Sequence, residues 1–145
     1  MSKLVKQTED ALHTLVVEAL GKAIAAGELP AAAMPSFIVE IPQDRANGDY
    51  STNAAFVGAK VFRMAPVKIA QAIAKYMYLS DSYFWEFTGA GAGFINFRLS
   101  DRYYADILLD VLEKGEAYGR SDYGKGKRVN VEFVSANPTG PMHMG

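Results

Sequence analysis

The chain has 145 residues, of which 50% are hydrophobic and 12% aromatic, and it contains no cysteine. This length and composition predict one packed domain, or one domain with the start of a second, and argue against intrinsic disorder. The net charge of −1 gives no overall field that would attract nucleic acid, so any RNA contact must use a local patch, and the lack of cysteine excludes disulfides and thiolate metal sites.

The N-terminal segment does not have the pattern of a membrane span or a signal peptide. No stretch reaches the roughly 18 continuous apolar residues of a span. Lys6, Glu9 and Asp10 interrupt the segment where a signal peptide needs an apolar core. We therefore expect a cytoplasmic protein without a membrane partner.

The first part of the chain predicts one long helix and a strand. Apolar residues recur at three- and four-residue steps from Lys3 to Ala26, which is typical of an amphipathic helix, and Gly27 is a suitable stop. The run from Phe37 to Ile41 predicts a strand that Pro42 ends.

Two short helices are predicted next. A turn at residues 47–49 leads into a helix through Phe56 to Val61, capped by one of residues 51–53. Pro66 suits the first position of a second helix that continues through Val67 to Leu79. These helices are expected to form a hairpin over a sheet.

Two aromatic strands and a final helix follow. The segments Tyr83–Thr88 and Phe94–Leu99 alternate and predict strands, joined by the glycine turn Gly89–Gly93. That turn matches neither phosphate-loop spacing, and a strand rather than a helix follows it. The helix Arg102–Glu113 is expected to bury an apolar side formed by Ala105, Ile107, Leu108, Val111 and Leu112.

The order of these elements indicates the fold class. It is helix, strand, helix, helix, strand, strand, helix, followed by a boundary and one more strand. We expect an α+β domain with a small, mostly antiparallel sheet and helices packed on one of its faces.

The boundary lies at residues 116–128, which are rich in glycine and poor in large aliphatic residues. Its cations have two interpretations. A solvated linker is favoured because surface charge runs are common, while contact with a phosphate backbone is the alternative. The cations are Arg120, Lys125, Lys127 and Arg128.

The strand Phe94–Leu99 separates an apolar face from a mixed one. Ile95, Phe97 and Leu99 should be buried, which leaves Phe94, Asn96 and Arg98 on the other face. An exposed aromatic ring two residues from an amide can stack on a base and hydrogen-bond its edge. Alternatively, Phe94 packs under the glycine turn or a helix.

The last fifteen residues, VEFVSANPTGPMHMG, predict a strand from Val131 that ends near Ser135 and opens into a loop. Glu132, on the opposite side from its apolar neighbours, needs either a structural arginine or a cationic ligand. Considered by spacing alone, His143 is either a phosphate contact or an ordinary loop histidine.

This terminal stretch resembles the signature that begins the catalytic domain of bacterial arginyl-tRNA synthetases, including its Ser-Ala-Asn-Pro-Thr-Gly-Pro core. Family members continue with a second histidine, which would directly follow Gly145. Upstream, GDYSTNAA, GAGFINF and YGRSD resemble motifs of the family's N-terminal additional domain, in the same order. Ala92 departs from the pattern, since the family usually has proline between these glycines.

The resemblance implies roles for matched residues. Glu132 would pair with the guanidinium of substrate arginine, with Asn137 at the α-amino end and Ser135 in the same pocket. His143, the implied catalytic residue, would contact ATP and stabilise charge during adenylate formation, with Gly145 also at the ATP site. The implied tRNA-binding residues are Phe94, Asn96 and Arg98, in contact with the D-loop, and no residue is assigned to a metal.

The resemblance also implies a domain plan. Residues 1–117 would be the tRNA-binding domain, 118–128 a linker, and 129–145 the first strand and loop of a truncated Rossmann catalytic domain. The full enzyme, an expected monomer, would use ATP and Mg²⁺ to join L-arginine to tRNA(Arg). The 145 residues alone are expected to be inactive and to hold no cofactor.

Two other hypotheses remain, a stand-alone RNA-binding module and a protein-interaction domain. Residues 129–134 lack the parallel neighbours of a Rossmann sheet. They are expected either to pair with a sheet edge, in the same chain or in a second copy, or to lie loosely extended.

Overall fold

The computed structural model describes residues 3–90, 93–133 and 140. Its helices are α1 (Lys3–Ala25), α2 (Ala54–Phe62), α3 (Pro66–Tyr76) and α4 (Asp101–Lys114). Its strands are β1 (Val39–Glu40), β2 (Tyr50–Thr52), β3 (Phe84–Ala90) and β4 (Phe94–Leu99). Short 3₁₀ turns occupy Arg45–Asn47 and Gly115–Ala117.

The four strands form one antiparallel sheet in the order β1-β2-β4-β3. The predicted α+β class is thus confirmed. The strand β4 lies between β2 and β3, so it receives hydrogen bonds on both edges. Strand β3 is left at one edge of the sheet.

The core lies between the sheet and helices α1 to α3. The apolar side of α1 is buried as its periodicity predicts, with Leu12, Val16 and Leu20 completely shielded from solvent. Burial of each such side chain contributes roughly 1.5–3 kcal/mol. The sheet contributes apolar side chains to this core, of which Phe97 and Ile95 are the most completely buried.

Strand β2 differs from the sequence prediction, which assigns residues 51–53 to helix capping. Thr52 both ends the strand and supports the next helix, because its hydroxyl donates to the Ile38 carbonyl at 2.8 Å and accepts from the Ala54 amide at 3.3 Å. Asn53 accepts instead from the Ile38 amide at 3.0 Å. These residues tie the start of α2 to the segment preceding β1.

The turn before β2 is joined closely to β4. The Asp49 amide donates to the Phe97 carbonyl at 2.8 Å, and the Asp49 carboxylate accepts from the Leu99 amide at 2.8 Å. Gly48 has φ +93°, and a Cβ there would lie 2.7 Å from the Phe97 oxygen. A side chain at this position would therefore push the turn off the sheet.

The prediction for α4 is wrong about which side is buried. Leu108 and Leu112 are exposed, as is Ala105, whereas Ile107 and Val111 are half-buried. Tyr103 is the buried residue of the helix. Periodicity correctly identifies an apolar side of α4, but the described part of the chain does not cover it.

The expected Rossmann portion is not evident in the described residues. Val129, Val131 and Phe133 are exposed, and residues 129–133 form no strand. Isolated from parallel neighbours, such a segment has no partner for its backbone groups. The loosely extended alternative is therefore the one observed for residues 129–133, while residues 134–139 and 141–145 lie outside the described part.

None of the described helices is long and apolar enough to cross a membrane.

Candidate nucleic-acid interface

The strand β4 places the candidate RNA-contacting residues through the alternation of its side chains. Ile95 and Phe97 point into the core and are fully buried, whereas Phe94 and Arg98 are exposed. The predicted division of the strand into two faces is thus confirmed for these four residues, whereas Asn96 is itself buried and Leu99 is half-buried. We call the sheet side that bears Phe94, Asn96 and Arg98 the outer face.

Asn96 lies at the centre of the outer face. In register it is opposite Ser51 on β2 and Thr88 on β3, so small polar side chains flank it on both edges. It is 9% exposed, and among the described residues no side-chain hydrogen bond involves its amide. An amide fixed by its strand and left available can both donate and accept toward a ligand.

Phe94 is both packed against a helix and partly exposed, so each of the two interpretations that the sequence leaves open applies in part. Its ring packs in parallel on Phe56 of α2, with ring centres 6.2 Å apart and planes 20° apart, yet 36% of the residue remains exposed. The ring also borders a cavity of about 290 Å³ between α3 and the β3–β4 hairpin, lined further by Val67, Gln71 and Phe87. Phe94 is thus held by a helix and still accessible.

Arg98 is oriented by two neighbours. Its Nε lies 3.4 Å from the Glu86 carboxylate on β3, and its guanidinium donates to the Ala46 carbonyl at 3.3 Å. Both members of this ion pair are more than one-third exposed, so the pair is weak. The arrangement positions the guanidinium at the end of the outer face while leaving it accessible to a phosphate.

Trp85 is an exposed aromatic residue that the sequence reasoning missed. Residues Phe84 and Glu86 pair with consecutive residues of β4, so Trp85 is the extra residue of a bulge, 61% exposed. Simple alternation places it on the same face as Tyr83 and Phe87. In the sequence, only the large number of aromatic residues in this segment indicates that one of these rings is exposed.

The structure does not gather the arginine and ATP residues expected from the resemblance into a site. Glu132 is exposed and makes no ion pair with any described residue, so it does not end a buried strand as the sequence predicts. Ser135, Asn137, His143 and Gly145 lie outside the described residues. The described residues also contain no cluster of three potential metal ligands.

The fold and the outer face define a small α+β domain whose sheet has one side packed by helices and one polar side. A family model described as the arginyl tRNA synthetase N-terminal domain matches residues 10–99. This chain belongs to the arginyl-tRNA synthetase N-terminal domain family.

Relatives and a solved structure agree with this family. The arginine–tRNA ligase of Acetivibrio thermocellus is 42% identical over 145 residues, which is all of this chain and 26% of that protein. The arginine–tRNA ligase of Ruegeria sp. is 47% identical over 135 residues, 92% of this chain and 23% of that protein. The chain thus spans about a quarter of these relatives.

A crystal structure of arginyl-tRNA synthetase from Plasmodium falciparum superimposes with a TM-score of 0.54. The match covers 69% of this chain and 17% of that chain at 20% identity. At this identity it shows a shared fold.

Proposed function

We propose that this domain binds the elbow of tRNA(Arg), at the D-loop, through its outer face. In this proposal, Phe94 stacks on a base, Asn96 hydrogen-bonds the edge of that base, and Arg98 contacts a phosphate. The observation that carries the proposal is the central Asn96 amide, unbonded by described side chains and two residues from a partly exposed ring.

The proposal extends to the longer protein that the relatives represent. Its activity would be the ATP-dependent joining of L-arginine to tRNA(Arg) in the cytoplasm, by way of an arginyl-adenylate and with Mg²⁺. Residues 1–117 would bind tRNA, and residues 129–145 would begin the catalytic domain. Residues 118–128 would be the linker between these two parts. These 145 residues alone would be inactive.

Within residues 129–145, the proposed roles follow the family pattern. Glu132, Ser135 and Asn137 would bind substrate arginine. His143 and Gly145 would contact ATP, with His143 the catalytic group.

The test is a binding titration of a tRNA(Arg) transcript against the parent chain and the variants Phe94→Ala and Asn96→Ala. Stacking contributes about 1–3 kcal/mol per base, so Phe94→Ala should weaken binding by roughly 5- to 150-fold. Asn96→Ala should weaken it through the lost base contact.

Two controls make the result specific. Tyr78→Ala removes an exposed aromatic residue that lies outside the four strands and should leave affinity unchanged. Phe94→Leu preserves much of the packing on Phe56, so a loss of affinity in both Phe94 variants, with circular dichroism unchanged, reports the aromatic ring. Parent-like binding by the Phe94 and Asn96 variants would refute the outer face as the RNA site. Absence of tRNA binding by the parent chain would favour a protein-interaction domain.

A further inference from the structure

The formal charge of this chain is divided unevenly along its length. Residues 1–117 contain eleven Lys or Arg and fourteen Asp or Glu, a charge of −3. Residues 118–128 contain four Lys or Arg and one Asp, a charge of +3 in eleven residues. We call residues 118–128 the basic segment. The near-neutral net charge of the chain therefore includes a concentrated positive segment that follows an acidic domain, residues 1–117.

The cations of the basic segment are not used by the acidic body. In the described part of the chain, the ion pairs involve Lys75, Arg98, Arg102 and Lys114, all of them outside the basic segment. Arg120, Lys125, Lys127 and Arg128 are exposed and form no ion pair with a described residue. A segment with a charge of +3 could pair its cations with carboxylates of a neighbouring body with a charge of −3. Because these four cations form no such pair with a described residue, they remain available to an external anion.

Backbone turns concentrate these charges at one end of the segment. The Lys125 amide donates to the Asp122 carbonyl at 2.8 Å, and the Lys127 amide donates to the Gly124 carbonyl at 2.8 Å. Two consecutive turns therefore shorten the chain around Lys125, Lys127 and Arg128. Tyr123, within the first turn, is 91% exposed and adds an aromatic ring between the cations.

The basic segment directly follows α4 and the 3₁₀ turn Gly115–Ala117. Tyr118 lies close enough to Tyr103 to help raise the pKa of that hydroxyl, although burial is the larger cause. Tyr103 is the buried residue of α4, which starts two residues after β4 ends.

We propose that the basic segment is a second, sequence-independent RNA contact that binds the phosphate backbone beside the base held at the outer face. This inference rests on the proposed function, because it takes its ligand from the RNA at the outer face. The outer face would provide base recognition, whereas the basic segment would provide electrostatic affinity.

The salt dependence of RNA binding tests this proposal. The variant with Arg120→Gln, Lys125→Gln, Lys127→Gln and Arg128→Gln is compared with the parent chain, using a tRNA(Arg) transcript and fluorescence anisotropy at several salt concentrations. Each phosphate contact adds about 0.7–0.9 to the slope of log affinity against log salt. If all four cations are in contact, the variant slope should be shallower by about 3.

A matched control separates local contact from net charge. Lys6, Lys22, Lys60 and Lys68 are also exposed cations without an ion pair among the described residues. Their replacement by Gln changes the net charge by the same amount, and we expect the parent slope. Equal slopes in the two quadruple variants would overturn the proposal, as would a parent slope in the basic-segment variant.

A second transcript distinguishes failure of this inference from failure of the proposed function. Phosphate contacts carry no sequence information, so the basic-segment variant should lose the same fold of affinity for a non-cognate tRNA. If Phe94→Ala weakens binding while the basic-segment variant does not, only the second contact is refuted. If the parent chain binds neither transcript, both proposals fail.

Discussion

At the scale of single residues, Gly93 lies where the β3–β4 hairpin closely approaches the starts of α2 and α3. It has φ +105°, and a Cβ placed there would lie 2.5 Å from Cβ of Pro66 and 3.2 Å from the amide nitrogen of Phe56. The glycine-rich sequence of this turn predicts a loose connection. Gly93 is instead a fixed contact between the β3–β4 hairpin and the start of α3.

Gly93→Ala should therefore destabilise the chain by about 1–3 kcal/mol, because the methyl group clashes with backbone and ring atoms at a φ that disfavours alanine. Urea unfolding followed by circular dichroism measures the change. Gly89→Ala is the matched control, since a Cβ there has no neighbour within 4 Å and its φ is not positive. Equal stability of the two variants would contradict the close packing at Gly93.

Strands β3 and β4 also show which exposed side chains of the candidate site can be predicted from the sequence. The exposure of Phe94 and Arg98 follows from alternation, which is a local property of an extended chain. The exposure of Trp85 depends on a bulge, which is a property of the pairing between β3 and β4. The sequence alone does not define the register in which β3 pairs with β4. The position of Trp85 in a bulge therefore cannot be predicted from it.

At the scale of elements, Tyr83 is one of the side chains that join α4 to the rest of the domain. The Tyr83 hydroxyl donates to the Asp106 carboxylate at 2.9 Å. The Tyr83 ring lies under the Arg102 guanidinium at 5.6 Å and edge-on to the Tyr103 ring at 5.4 Å. These three contacts lie in the N-terminal half of α4.

Tyr83→Phe should loosen α4 relative to the rest of the fold. The change removes the hydrogen bond to Asp106, which is worth about 0.5–1.5 kcal/mol, and leaves the ring in place. Hydrogen exchange should become roughly 2- to 10-fold faster for amides of residues 105–114, because their protection depends on local opening, with β4 amides unaffected. Tyr78→Phe, which alters an exposed tyrosine, should leave the exchange of α4 unchanged; faster exchange in β4 as well would show that Tyr83 supports the whole fold.

The helices themselves were predictable because periodicity and stop residues are local. The positive φ of Gly27, +76°, ends α1 where the sequence predicts, and Pro66 begins α3. The buried side of α4 was not predictable, because an apolar stripe does not reveal whether another element covers it. Strand β2 was missed for a related reason, since three residues acquire strand structure only by pairing with β1 and β4.

At the scale of the whole molecule, tyrosines distributed over the fold make its stability sensitive to alkaline pH. Burial raises the pKa of Tyr50, and the nearby Tyr103 adds to the effect. The hydrogen bond to Asp106 is the main cause of the raised pKa of Tyr83, and burial is the main cause for Tyr103 and Tyr104. The folded state therefore retains protons that the unfolded chain releases near the ordinary tyrosine pKa of about 10.

The contribution of these tyrosines to the free energy of unfolding should accordingly be constant below pH about 9 and fall as the pH rises above about 10. Each tyrosine that stays protonated only in the folded state contributes up to about 1.4 kcal/mol per pH unit to this decline. Urea unfolding between pH 8 and 11 measures it. Tyr50→Phe should reduce the steepness, whereas Tyr123→Phe, at an exposed tyrosine, should not; a pH-independent parent would contradict the role of the buried hydroxyls.

The uncovered side of α4 has a consequence for how the molecule behaves in solution. Leu108, Leu109 and Leu112 are all more than 60% exposed and lie on one side of the helix with Tyr104. Association of two such leucine surfaces would be hydrophobic and would depend on protein concentration. Dissolved ions do not screen a hydrophobic interaction, and kosmotropic salts strengthen it. Added salt would therefore act in opposite senses on the two surfaces of this chain: it would weaken the proposed phosphate contact of the basic segment and would favour burial of these leucines.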